Sequence, residues 1–465
     1  MLYGGVSPRV LDEGLIGQVR KEAARVFIQG TAVRLMLPPK EILHMNISSP
    51  TYTSLQELIV SEQIYRDKSL KLISLILNLE NTPCYDKANI FLMTRPRGFG
   101  LSLISSAIDK IIKRDKEIVS KIEDGGLLEQ LPFRHTVFID FKHINATNPK
   151  ELSQALISYL QELFWLHHIE THVNPYMTPK VYFSSLIDAL YKRHHEPMVI
   201  FIDNCDIPLM KAFLMKDPDD VIEATCIYHD LLNVLNRTSK NKVKWALLTG
   251  HIKFNFASEY SEGLPLVEDL SSNESFSDLF GFTKAEIELI FKNRITKFSQ
   301  SQGISELEYL DRLERCYGGY CFTDKLIKVM CPASISHVMN NNGLLLPYSA
   351  NGNYPFLTNV LKKNKSDFDW LFNKNGQDPL YSNSLDSVVK GKQIGTLLIY
   401  SGFATRTKVL LNSDEGYTTW RYRFECPNLD MQKTLEFITN KCTSEDLKKP
   451  LITNEDPKET SAEEK

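Results

Sequence analysis

The chain has 465 residues, a formal net charge of -3, 43% hydrophobic and 24% charged residues. At about 150 residues per domain that allows two to four units with a sizeable core, and it excludes a chain that is disordered throughout. The missing basic excess argues against a nucleic-acid binder at whole-chain level. No apolar run reaches the ~20 residues of a membrane helix, because Leu70 to Leu79 is interrupted by Lys71, Ser74 and Asn78.

No basic segment followed by an apolar stretch opens the sequence, so a soluble, cytoplasmic protein without membrane contact is expected. The eight cysteines are scattered from Cys84 to Cys442 and do not form a disulfide framework. Cys316, Cys321 and Cys331 lack CxxC spacing, so ordinary thiols are expected there rather than a metal site. His168 and His172 stand four apart in "WLHHIETH" without a Glu after His168. A packed or surface helix is the expectation.

Residues 1–50 carry weak signals and read as an N-terminal extension. Helical spacing follows through Leu55, Leu58 and Ile59, and again through Leu70, Leu72, Ile73, Leu75 and Ile76. Ile90 to Met93 is a short apolar run that meets a Pro/Gly turn. Leu101, Ile104, Ile108, Ile111 and Ile112 then form one helical stripe. "HTVFIDF", Met198 to Ile202 and Val243 to Leu248 are further short apolar runs, with a long helical stretch from Pro149 to His195 between the first two.

Strands separated by helices predict an α/β fold, a parallel sheet covered on both faces, over 51–283. Ligands of such sheets bind at the carboxyl ends of the strands. Thr283 and Glu286 predict a capping box. A mainly helical, lid-like segment is expected over 284–345 and a small α+β domain over 346–442. Its "ATRTKVLL" and "TWRYRFECPN" alternate like a hairpin. Residues 443–465, acid-rich and without aromatic residues, read as a disordered tail.

A phosphate-binding loop needs GxxxxGK[ST] between a strand and a helix, so that backbone N–H groups, a lysine and a hydroxyl meet phosphates and Mg²⁺. On that spacing Arg95 replaces the first Gly. Gly100 is kept, Leu101 replaces the lysine, and Ser102 keeps the hydroxyl. Asp203 ends an apolar strand, where such proteins keep a Mg²⁺-ordering acid. Thr249 ends another, where a polar residue senses the γ-phosphate.

The run "RDKS" (66–69), "TRPRGFGLS" (94–102), "FIDNCD" (201–206), "LTGHIKF" (248–254), "EDL…LFGFT" (268–283) and "YGGYCF" (317–322) resembles the AAA-ATPase-like family. These are bacterial P-loop-like ATPases often fused to a PD-(D/E)xK nuclease-like domain. The order and intervals agree from about Leu55 to Phe322, with a weaker match to near Pro427. The resemblance implies a P-loop NTPase-like core binding ATP and Mg²⁺. A pocket is expected from Arg95, Arg97, Gly98, Gly100, Ser102, Asp203, Thr249 and Lys253, with Ser102 and Asp203 toward the metal; Arg95 and Arg97 either supply charge there or brace the loop against neighbouring acids, and Lys253 either approaches the γ-phosphate or stays solvated. Asp67 and Lys68 match the family's "DK", as part of the pocket or as a structural ion pair. Asp206 is a substitute acid or a helix N-terminal acid.

The departures are as informative. Leu101 stands for the family lysine and Gly98 for the last Arg of "RPRR". Asn204 stands for the Glu that the resemblance assigns to water polarisation. No nuclease-like pattern follows Pro427. A degenerate NTPase with weak or no hydrolysis, acting through protein contacts, is the first expectation. Two alternatives stay open. One is a Mg²⁺-dependent ATPase using Arg95, Arg97 or Lys253 as charge donor. The other is a nucleic-acid-associated module.

Overall fold

The computed structural model describes residues 68–83, 88–119, 126–170, 177–253, 267–349, 357–358, 394–414, 417–439 and 444–452. All of them fall in one compact unit, Thr51–Lys465. The expectations for 1–50, for Leu55 to Ile59, for Asp67 and for His172 lie outside the described residues, as do most of those for 353–393.

The apolar runs become strands. In chain order the first half reads α1 (Ser69–Asn81), β1 (Asn89–Thr94), α2 (Leu101–Ile112), β2 (Thr136–Asp140), α3 (Pro149–Leu166), α4 (Pro179–His194) and β3 (Met198–Asp203). Then come α5 (Ile207–Phe213), α6 (Pro218–Arg237), β4 (Val243–Gly250) and β5 (Val267–Asp269). All strand pairs are parallel and the order is β2-β3-β4-β1-β5. Every residue of β3 is buried, as a central strand covered on both faces requires. The α/β core is therefore a five-stranded parallel sheet flanked by helices. β5 was not anticipated, since three residues carry no readable alternation.

Local chemistry sets the helix starts. The Asn148 side chain accepts from Glu151 N ahead of Pro149 in α3, and Asp217 caps α6 ahead of Pro218. The helical stretch expected from Pro149 to His195 is two helices. α3 stops at Leu166, and His168 is exposed with φ 53°, outside any helix. The stripe of buried Leu152, Leu156, Leu160 and Leu163 ends there, so nothing apolar holds another turn.

Beyond the sheet lie α7 (Lys284–Gln302), α8 (Glu306–Tyr317), β6 (Tyr320–Cys321), β7 (Lys328–Val329) and α9 (Pro332–Asn340). They are followed by α10 (Ile394–Tyr400), the antiparallel hairpin β8 (Thr405–Asp414) and β9 (Tyr417–Glu425), and α11 (Leu429–Ile438). The Thr283–Glu286 capping box is present at the start of α7. A second apolar cluster, including Ile287, Tyr309, Leu313, Ile335 and Val338, holds α7, α8 and α9 together.

The structure differs from the sequence reading at 444–452. Leu451 N donates to Leu345 O at 2.7 Å, and Ile452 is buried in that second cluster. The acid-rich composition hid an apolar pair that docks. Residues 453–465 lie outside the described residues. Among the described residues, no helix is long and apolar enough to cross a membrane.

Asp430, 1% exposed at the start of α11, accepts from Tyr348 N (2.7 Å) and from Ser349 Oγ (2.7 Å). Burial outweighs these bonds and pushes its pKa up to about 6. The folded state therefore holds this proton more tightly than the unfolded chain, whose Asp titrates near 3.8. This contribution to stability is present below about pH 4 and is lost as pH rises to about 6, about 3 kcal/mol in all. Urea melts at pH 4, 5 and 6 should show Asp430→Asn flattening that slope; an unchanged slope would refute the assignment.

Candidate functional site

The carboxyl ends of β1, β3 and β4 meet at one place. β1 pairs with β4 so that Met93 faces Thr249 and Thr94 faces Gly250, and β2 pairs with β3 so that Asp140 faces Asp203. This registers the loop after β1 against the acids that end β2 and β3.

Asp203 is 2% exposed. Its Oδ1 accepts the Thr249 hydroxyl at 2.7 Å, which in turn lies 3.2 Å from Ser105 Oγ on α2. Ser102 lies near enough to Asp203 to lower its pKa. Burial pushes the Asp203 pKa up, the hydroxyl donors from Ser102 and Thr249 pull it back, and the Asp140 charge adds to the rise. Asp203, Thr249 and Ser105 are thus one hydrogen-bonded group.

Asn204 has φ 55°, a left-handed backbone that Asn tolerates better than most residues. Its Nδ2 donates to Asp140 Oδ1 at 2.8 Å and to Asp203 Oδ2 at 3.3 Å. It bridges two carboxylates where the family would have a third acid. Asp140 was not singled out from sequence. Its signal was the same as that of Asp203, an acid ending a short buried strand.

The loop itself bends at two glycines with positive φ, Gly98 (87°) and Gly100 (80°), and Gly100 N-caps α2 without a side-chain bond. Among the described residues, no backbone N–H from Arg97 through Leu103 has a hydrogen-bond acceptor. Successive unpaired amides at a helix N-terminus form a concavity suited to an anion. Leu101 is 4% exposed and belongs to the main core. Arg97 is exposed and, among the described residues, has no ion-pair partner.

The other cations are committed elsewhere. Arg95 is 2% exposed. Its Nη1 donates to Thr94 O and Ser271 O, both at 2.8 Å. Its guanidinium lies between the rings of Phe280 (4.9 Å) and Phe322 (4.4 Å), while Nε and Nη2 lack partners. Burial lowers its pKa and Asp269 partly offsets this. Lys253 is 2.7 Å from Asp269 Oδ2. Burial works to raise the Asp269 pKa, but Lys253 and Ser271 hold it below the ordinary value. Lys68 donates to Asp278 O (2.5 Å), Gly281 O (2.8 Å) and Glu286 (3.2 Å), a structural staple onto the start of α7. Asp206 Oδ2 accepts the N–H groups of His251 and Ile252, both at 3.1 Å, so it ties the exit of β4 to the start of α5.

Of the residues expected in the pocket, Asp203 and Thr249 are hydrogen-bonded, whereas Arg95 and Lys253 are held by other protein groups. Cys316, Cys321 and Cys331 are reduced and buried. Among the described residues, no group of three His, Cys, Asp or Glu side chains is arranged to hold a metal ion.

Residues 51–258 match the sequence model of an AAA-ATPase-like family described as predicted AAA-ATPase. The matched segment takes in β1 to β4, the loop, Asp203 and Thr249. A curated relative, described as an uncharacterized protein in the vnfD 5' region of Azotobacter chroococcum mcd 1, is 24% identical over 257 residues. The alignment covers 54% of this chain and 45% of that relative, so the chain spans less than half of the relative's length.

Proposed function

We propose that this AAA-ATPase-like site is a degenerate one: it binds a polyphosphate such as ATP weakly, does not turn it over, and acts through protein contacts. The observation that carries the reading is Leu101, buried in the core where a lysine would meet the β- and γ-phosphates. Phosphoryl transfer depends on positioned charge. Leu101 supplies none, Arg95 is stacked between two rings, and Lys253 is neutralised by Asp269. The acid expected at 204 is an amide whose two hydrogens go to Asp140 and Asp203. Removing one positioned group from such a site often costs a hundredfold or more in rate.

What supports binding is the row of unpaired amides from Arg97 to Leu103, the N-terminus of α2 and the exposed Arg97. The Ser102 hydroxyl and the Asp203 carboxylate are hard oxygen donors, a set that suits Mg²⁺. They would hold the ion, which would neutralise phosphate charge. ATP and Mg²⁺ are thus the cofactors of this reading, and a protein is its partner. Phosphate release from Mg·ATP should equal that of a buffer control. A Mg²⁺-dependent rate abolished by Asp203→Ala would overturn the reading in favour of an active ATPase.

A further inference from the structure

The phosphate loop is gripped from its far side by the chain that follows the sheet. Phe99 meets Tyr320 edge-on at 4.9 Å and Phe322 at 5.2 Å. Gly402 lies so close to Pro96 that a Cβ on it would stand 2.8 Å from Pro96 Cβ. A second close contact is at Gly98. Its carbonyl accepts from Ala333 N, the first free amide of α9, at 3.2 Å. A Cβ added at Gly98 would stand 2.9 Å from Cys331 Sγ and 3.1 Å from Ala333 Cβ. A side chain at 98 would therefore push on Cys331 Sγ and Ala333 and would strain a backbone with φ 87°.

We propose that Cys331 to Ala333 are positioning residues of the anion cradle. Docked on Gly98, they hold the loop in the left-handed bend that aligns its amides. An anion gathered by those amides in turn holds α9 docked. The occupancy of the loop is thereby passed to the helical segment after the sheet, whose α9 packs on α8 in the second apolar cluster. This rests on the polyphosphate-binding reading above. The loop and α9 are linked in both directions, because coupling of two equilibria is reciprocal.

The consequence is measurable at Cys331, which is 4% exposed and on this proposal becomes accessible when α9 lifts. In the full-length chain, N-ethylmaleimide labelling of Cys331 is followed by peptide mass spectrometry with and without inorganic tripolyphosphate. If lifting requires the loop to release its anion, tripolyphosphate at ten times its Kd slows labelling about tenfold. Cys226, half-buried on α6, should label at an unchanged rate. Gly98→Ala should speed Cys331 labelling and weaken tripolyphosphate binding together. Tripolyphosphate that binds by calorimetry yet leaves Cys331 labelling unchanged overturns the inference and spares the binding reading. Absence of any binding, with Cys331 still exposed by Gly98→Ala, overturns the binding reading and with it the transmission.

Discussion

Leu101→Lys is expected to lose about 2–4 kcal/mol of stability without ligand and to regain much of it with tripolyphosphate or Mg·ATP. The cost follows from placing an ammonium at a position 4% exposed, within an apolar core. Asp203 is already engaged by Thr249 and Asn204. An anion held by the neighbouring amides would supply the missing counter-charge, for a gain of about 1–3 kcal/mol in binding. Turnover should stay poor because Asn204 still lacks a carboxylate. Thermal melts of parent and variant across a tripolyphosphate titration test both halves. A variant that melts with the parent and responds no more strongly to tripolyphosphate would show that position 101 does not face an anion.

Arg95 should separate a brace from a ligand. Arg95→Ala removes a large buried side chain from between Phe280 and Phe322 and leaves a cavity, at about 2–5 kcal/mol. Arg95→Met keeps most of the volume. It forfeits the bonds to Thr94 O and Ser271 O, but it also removes a buried charge with two unpartnered N–H groups. Replacing a buried charge by a well-packed apolar residue is often close to neutral, so Arg95→Met should cost about 1 kcal/mol or less. Neither variant should alter tripolyphosphate affinity by more than its effect on folding. A folded Arg95→Met protein that had lost binding at least tenfold would make Arg95 a phosphate ligand.

The sheet was legible because its strands are buried on both faces and so read as unbroken apolar runs, each closed by a polar residue. Asp203 and Thr249 were found by that rule, and Asp140 follows the same rule. β5 was hidden by its three-residue length, and the docking of Leu451 and Ile452 by the acid-rich composition around them. The roles of the cations were not legible. Arg95 and Arg97 stand two apart in one turn, yet Arg95 is enclosed by rings from Phe280 and Phe322, far along the chain, while Arg97 faces solvent. The same holds for Lys253, whose fate depends on Asp269 at the end of a strand that was not foreseen. Gly98 read as a lost arginine; only the approach of Cys331 and Ala333 gives it a positive reason.

The account rests on a cradle that binds without turning over, and one titration addresses both halves. Mg·ATP injected into the full-length protein in a calorimeter reports binding as heat pulses that saturate and return to baseline, and turnover as a sustained heat rate. The account predicts saturable pulses of weak affinity with no sustained rate. A sustained rate that disappears with Asp203→Ala would contradict it, and so would the absence of any pulse.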